Sequence, residues 1–299
     1  MRTPLAPLEN LCPELQRHLE NLSKLPYAER RKILREPPNS FPLLVYRYLK
    51  PDICRNYLDA YLLDSFFWLS SPADFNDPFD MNANLTLGND PAALRKRYVG
   101  LAKTYMPSAN RQMRRQEVAA RMRQPTRELS NNKSFLDKHT QEIGVLCFSE
   151  ESLNLLMWSH YADQHKGFAL QFDVARDVKT MLRISKVDYS NSFPLIDYSA
   201  LPTGLEAVFL RKHPGWMYEC EWRMIIPNGA KTYLEFKPEI VTALIFGCRA
   251  SIELKKKVCD VLAKRALQKL GPIKIFQTVK HESEYRLQIQ NDKSLRWPS

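Results

Sequence analysis

Two glutamates two residues apart stand before an apolar run in Trp216–Pro227, W-M-Y-E-C-E-W-R-M-I-I-P. Trp222, Arg223 and Met224–Ile226 lead to Pro227 and the turn pair Asn228-Gly229, which reads as a strand with acids at its mouth. In an extended chain Glu219 and Glu221 share one side, with Cys220 and Trp222 on the other. Carboxylates held close repel, so packing alone gives no reason to place two of them there. One reading is an exposed strand end whose acids pair with nearby Lys or Arg. The other is a catalytic Glu-x-Glu on which other marked stretches converge.

The remaining signals limit the architecture. Strand patterns cover Phe41–Leu49, Phe66–Ser70, Ile143–Ser149, His165–Asp173, Lys186–Tyr189, Val241–Phe246, Ile273–Thr278 and Tyr285–Ile289. Helical patterns cover Pro13–Leu22, Tyr27–Leu34, Asp52–Leu62, Pro91–Lys138, Leu153–Asp163, Pro202–Lys212 and Ile252–Leu270. Strands and helices do not alternate regularly, which predicts an α+β fold with a mixed, largely antiparallel sheet and helical insertions. The expected organisation is a helical appendage at 1–40, one domain at 41–290 with an arginine-rich helical insertion at about 91–138, and a tail at 291–299.

A net charge of +11 points to an acidic partner, nucleic acid or an acidic protein. The charge is concentrated in Pro91–Lys138, which carries Arg95, Arg97, Arg111, Arg114, Arg115, Arg121, Arg123 and Arg127 among few acids. A solvated face is the plain explanation, and a phosphate-backbone surface is the alternative that the excess of one sign favours. Few aromatic residues interleave, so base stacking is not expected from this segment. The six cysteines form no C-x-x-C pair, and neither zinc spacing nor a disulfide framework is expected. The first ten residues lack an apolar stretch and no run reaches membrane-span length, so a cytoplasmic protein without a membrane partner is expected.

Several machineries are missing: there is no G-x-x-x-x-G-K-[ST], no G-x-G-x-x-G and no H-E-x-x-H. His160 and His165 lack a third ligand at diagnostic spacing, and each reads as a packed or hydrogen-bonding histidine. Cys147 lies inside an apolar strand and reads as a core thiol, with a Cys147–His160 nucleophile pair as the alternative. What remains is Arg47 on an early strand, Ser149 ending a middle strand, and Glu219-x-Glu221 opening a late one. An arginine on an apolar strand costs free energy unless paired or facing a cleft. Asn76-Asp77-Pro78 is turn chemistry, a structural loop with direct ligand contact from Asn76 or Asp77 as the alternative.

In order along the chain, Y-R-Y-L, S-S-P-A-D-F-N-D-P-F, C-F-S, L-M-W-S-H-Y-A-D-x-H-x-G and W-x-Y-E-x-E-W-R resemble a prokaryotic family, domain of unknown function 2971, over Val45–Gly247. The order Arg, Ser, Glu-x-Glu also resembles the ADP-ribosyltransferase superfamily. That second resemblance implies sheets of the ADP-ribosyltransferase type and NAD as substrate, with no metal. It implies that Arg47 holds the dinucleotide, Ser149 supports the site, Glu221 is catalytic and Glu219 orients the acceptor. A single serine replaces the usual Ser-Thr-Ser, so Ser70 or Ser71 competes with Ser149 for that role. Tyr46 and Asn76 are further cofactor-contact candidates. Trp158 and Tyr161 are candidates to stack on nicotinamide, with core packing as the alternative for both.

The expectation is an NAD-dependent ADP-ribosyltransferase, a toxin or antiphage effector modifying nucleic acid or protein and held by an antitoxin or regulatory protein. Two other classes stand beside it. One is a non-catalytic nucleic-acid-binding module working through the Arg95–Arg127 region. The other is a metal-dependent nuclease using Asp77, Glu219 and Glu221.

Overall fold

The computed structural model describes residues 13–36, 41–51 and 57–291. Parts of the expected appendage, the start of the expected helix at Asp52 and the tail from 292 onward lie outside the described residues. Helices α1 (Pro13–Lys24) and α2 (Tyr27–Arg35) precede β1 (Leu44–Leu49), α3 (Tyr57–Leu62) and β2 (Phe66–Leu69). Next come β3 (Asn84–Thr86), then α4 (Pro91–Tyr105), α5 (Arg111–Arg123) and α6 (Pro125–Thr140). The middle holds β4 (Gly144–Ser149), α7 (Leu155–Tyr161), β5 (Phe168–Asp173), α8 (Val178–Met181) and β6 (Ile184–Lys186). Short elements follow: β7 (Asp188–Tyr189), β8 (Leu195–Asp197), α9 (Glu206–Leu210) and β9 (Arg211–Lys212). The chain continues through β10 (Glu221–Ile226), β11 (Thr232–Glu235), β12 (Val241–Phe246), α10 (Ile252–Leu267), β13 (Lys274–Lys280) and β14 (Leu287–Asn291).

Two compact units result. Unit 1 draws its described residues from 1–70, 144–186 and 215–299, and unit 2 from 71–143 and 187–214. The division differs from a boundary at residue 40 and an insertion confined to 91–138. Leu22 of α1 and Leu34 of α2 belong to the core of unit 1, and Arg31 of α2 pairs with Asp173 of β5 at 3.2 Å. An amphipathic helix with a receptive core face beside it is stabilised by packing there, about 1.5–3 kcal/mol for each buried leucine.

Unit 1 is built on an eight-stranded sheet in the order β14-β13-β12-β5-β1-β4-β10-β6. All its neighbouring pairs run antiparallel except β12 and β13. Both faces of the sheet are covered, which is why its central strands carry apolar residues at consecutive positions. One face, with Val45, Leu49, Phe148, Leu170 and Phe246, shares a core with α3, α10 and the β2–β11 ladder. Leu254, Val258, Val261 and Leu262 give α10 its buried stripe at helical spacing, and Ser251 caps its start. The other face, with Tyr48, Ala169 and Ile245, packs against Met157 and Trp158 of α7.

Unit 2 contains α4–α6 with the parallel ladders β3–β8 and β7–β9. Asp90 and Asn110 cap α4 and α5 by accepting the Ala92 and Met113 N–H groups. Lys212 and Asp80 form a buried ion pair at 3.7 Å. Two expected elements change here. The helix expected over Pro202–Lys212 narrows to α9, because Arg211–Lys212 pairs with Asp188–Tyr189. The strand expected over Lys186–Tyr189 divides, since Lys186 pairs with β10 and Asp188 with β9.

Arg265 of α10 is 1% exposed and meets no acid at ion-pair distance among the described residues. Its guanidinium instead donates to the carbonyls of Leu62, Leu270, Pro238 and Gly271 at 2.6, 2.7, 2.8 and 3.0 Å. It thereby ties α3, the end of α10 and the loop before β12 into one core. Arg265→Leu strips all four acceptors of a donor and is expected to cost about 3 kcal/mol or more. A drop in the urea midpoint of unfolding, only partly restored by Arg265→Lys, is the expected outcome.

Candidate active site

Strand register brings three of the expected residues into line. Tyr46 faces Ser149 between β1 and β4, and Ser149 faces Glu221 between β4 and β10. Directly opposed residues share a sheet face, so Tyr46, Ser149 and Glu221 form one row. Cys147 and Arg223 form the next row on the same face.

Glu219 and Glu221 are 3% and 4% exposed, which overturns the reading of an exposed strand end. The segment is also not extended through both acids. A 3-10 helix runs over Pro214–Glu219, Cys220 takes a left-handed φ of 44°, and the strand begins only at Glu221. The kink at Cys220 sends the two carboxylates to different partners. The Glu219 carboxylate accepts the Tyr161 hydroxyl at 2.6 Å. Glu221 accepts two charge-assisted bonds from Arg223, at 2.8 Å from Nε and 2.9 Å from Nη2. The planar guanidinium fork matches both oxygens of one carboxylate, and two residues along a strand is a spacing its stem can span.

Arg47 alternates onto the face of Val45 and Leu49, opposite the row of Tyr46. Its guanidinium still reaches the strand edge, where Nη1 donates to the Cys147 carbonyl at 2.9 Å. Strands β1 and β4 are paired at Tyr46–Ser149 alone, so the carbonyl is open to a side chain there. The Arg47 Nε–H is buried without a partner. The Cys147 thiol is pushed well above its ordinary value by burial first and by the Glu221 carboxylate next, while Arg223 and Arg47 act the other way. The charges of Glu221, Arg223 and Arg47 therefore all bear on one thiol. That thiol stays protonated, and His160, whose Nδ1 meets the Tyr218 hydroxyl at 3.0 Å, is engaged elsewhere.

The other expected residues separate. Ser149 is 1% exposed, with its Oγ accepting the Glu151 N–H at 3.0 Å. Tyr46 is half-buried, its hydroxyl bonded to Gln171 at 3.3 Å and its phenol raised by burial. Trp158 is wholly buried, with its indole N–H on the Ser152 carbonyl at 2.9 Å, so a stacking role is corrected to core packing. At 0% exposure, with Tyr48 edge-on to it at 5.1 Å, the ring offers no open face to a ligand. Tyr161 is half-buried over Glu219. Asn76 is exposed and lies in unit 2, where its neighbour Asp77 accepts the Phe79 N–H and fixes the turn. Ser71 also lies in unit 2 and is occupied by the Gln141 carbonyl and the Ala73 N–H. Asp77 and the two glutamates thus belong to different units. Among the described residues no three His, Cys, Asp or Glu side chains are grouped to hold a metal ion.

The sequence reading missed an aromatic cluster beside Glu219. The His160 ring lies 6.3, 6.4 and 6.0 Å from Tyr161, Trp216 and Tyr218. The signal was available in S-H-Y and W-x-Y-E, but only the fold shows that α7 and the 3-10 turn meet. The turn after α7 depends on Gly167, where an added Cβ would fall 2.1 Å from the Leu49 carbonyl.

The family model described as a protein of unknown function (DUF2971) matches residues 157–224, the span from Met157 of α7 to Met224 of β10. No curated protein and no solved structure matches the chain. No helix among the described residues is long and apolar enough to cross a membrane.

Removing one partner of the Glu221–Arg223 pair leaves a buried charge. Arg223→Met is expected to cost about 3–5 kcal/mol, and Glu221→Gln/Arg223→Met to recover most of it, as read by a double-mutant cycle in urea. His165 gives a pH test. Burial first, then the charges of Arg249 and Lys280, lower its pKa below the ordinary 6.5. A depressed histidine favours the folded state fully above the unfolded value, and that contribution is lost as pH falls below it. Melting temperature is expected to fall less for His165→Asn than for the parent between about pH 7.5 and about pH 5.5.

Proposed function

We propose that the chain is an NAD-dependent ADP-ribosyltransferase, with the sheet of unit 1 as a transferase fold. The observation that carries the reading is the row of Ser149 and Glu221 on the adjacent strands β4 and β10, with the Arg47 guanidinium of β1 bonded to the Cys147 carbonyl on β4. Breaking the nicotinamide–ribose bond builds positive charge on the sugar, and a fixed carboxylate beside it lowers that barrier. Arg223 holds Glu221 in place through two charge-assisted bonds, which fixes the carboxylate that the reaction needs. The unpartnered Arg47 Nε–H supplies a donor for a pyrophosphate oxygen. Trp216 and Tyr218 replace Trp158 as the stacking surface. Glu219, held by Tyr161, is the acceptor-side acid. A role as toxin or antiphage effector in the cytoplasm, restrained by an antitoxin or regulatory protein, belongs to the same proposal.

The test follows nicotinamide release and label transfer from NAD labelled on its ADP-ribose, with separate RNA, DNA and protein pools. Glu221→Gln is expected to lower release by about 100-fold or more, with its melting curve checked because Arg223 loses a partner. Arg47→Lys is expected to raise KM for NAD, and Glu219→Gln to reduce transfer more than hydrolysis. No nicotinamide release with any pool would end the reading.

A further inference from the structure

The stretch Pro91–Gln116 contains no acidic residue. The fold sorts the cations of α4 and α5 into two sets. Arg97 donates to the Leu201 carbonyl at 2.8 Å and lies over the Tyr198 ring at 4.7 Å. Arg114 donates to the Ala109 carbonyl at 3.0 and 2.7 Å. Arg121 is held by Glu117 at 2.8 Å and Glu128 at 2.9 Å. These three serve the fold.

The second set is Arg95, Lys96 and Lys103 on α4 with Arg111, Arg115 and Arg123 on α5. All six are exposed and make no hydrogen bond or ion pair among the described residues. At about 100° per residue, the α4 set spans an arc of about 100° and the α5 set about 120°. The buried stripes of these helices, through Leu94, Tyr98 and Ala102 on α4 and Val118 on α5, flank these arcs. Glu117 is the sole carboxylate in α4 and α5, and Arg121 binds it. Each outer face is therefore cationic with no counter-charge of its own.

We propose that these outer faces bind the phosphate backbone of duplex DNA. In the transferase reading that duplex is the acceptor, and only this assignment of role rests on that reading. A row of mobile guanidinium and ammonium groups gathers phosphates and releases condensed counterions, which drives binding. Gln112 and Gln116, also exposed on α5, add neutral donors beside the arginines. Single strands are gripped by base stacking, and the arcs between the six cations carry no aromatic residue. A helix enters the wide major groove of B-form DNA, whereas that of A-form RNA is narrow and deep.

The experiment uses the full chain without NAD and a fluorescent duplex DNA of about 20 base pairs, read by anisotropy from about 50 to about 200 mM salt. Binding is expected to weaken steeply with salt. The triple variant Arg111→Gln/Arg115→Gln/Arg123→Gln is expected to bind about tenfold or more weakly, with a log–log salt slope shallower by about 3. Arg95→Gln/Lys96→Gln/Lys103→Gln, on the other helix, is expected to behave alike. Glu221→Gln is expected to bind as the parent does, so loss of transfer and loss of binding are read separately. Binding unchanged in both triple variants, absent at low salt, or tighter to single-stranded RNA or polyglutamate than to the duplex would overturn the proposal.

Discussion

The bidentate pair of Glu221 and Arg223 governs how the centre of unit 1 is arranged. Both side chains are almost wholly withdrawn from water, at 4% and 1% exposure. Neither charge could remain there alone, because desolvation of one ion costs several kcal/mol. Two residues apart on β10, they neutralise each other along one face of one strand. That arrangement lets a strand one in from the edge of the sheet carry charged groups beside Met224 and Ile226. It also decides the chemistry of the neighbours. Burial first and the Glu221 charge next keep Cys147, in the neighbouring row, a thiol, so the acid and not the sulfur is the reactive candidate.

Arginine does several different jobs in this chain, and the guanidinium fork explains each. Arg223 meets a carboxylate, Arg265 meets four carbonyls, and Arg47 meets one carbonyl with a donor left over. Arg97, Arg114 and Arg121 brace unit 2, while six other cations of α4 and α5 stay in solvent. Lysine could not substitute at Arg223 or Arg265, since one point charge cannot satisfy several fixed acceptors in a plane. The formal charge of +11 is therefore a poor guide to the free charge at the surface until each cation has been located.

Where the hydrophobic pattern was strong, the fold was legible. Val241–Phe246 is the strand expected, residue for residue, and Ile252–Leu267 lies within the expected helix. The three helices of 91–140 and the mostly antiparallel sheet follow from the same periodicities. Legibility failed at places set by distant partners. Glu219 was read as extended, but the left-handed Cys220 ends a 3-10 turn there. Trp158 carries the same local signature whether it faces a ligand or a core. Its burial is decided by Tyr48, more than a hundred residues earlier in the chain.

The sequence by itself determined the strands, the helices, the excess of positive charge and the presence of two acids before a buried strand, because these depend on short-range periodicity and composition. The tertiary structure decided which residues meet. Register between β1, β4 and β10 aligned Tyr46, Ser149 and Glu221, and division into two units separated Asn76 and Asp77 from them. It also chose Arg223 as the partner of Glu221 and Tyr161 as that of Glu219. The reason is physical: a pairing free energy depends on distance and desolvation, and neither exists until the chain has folded.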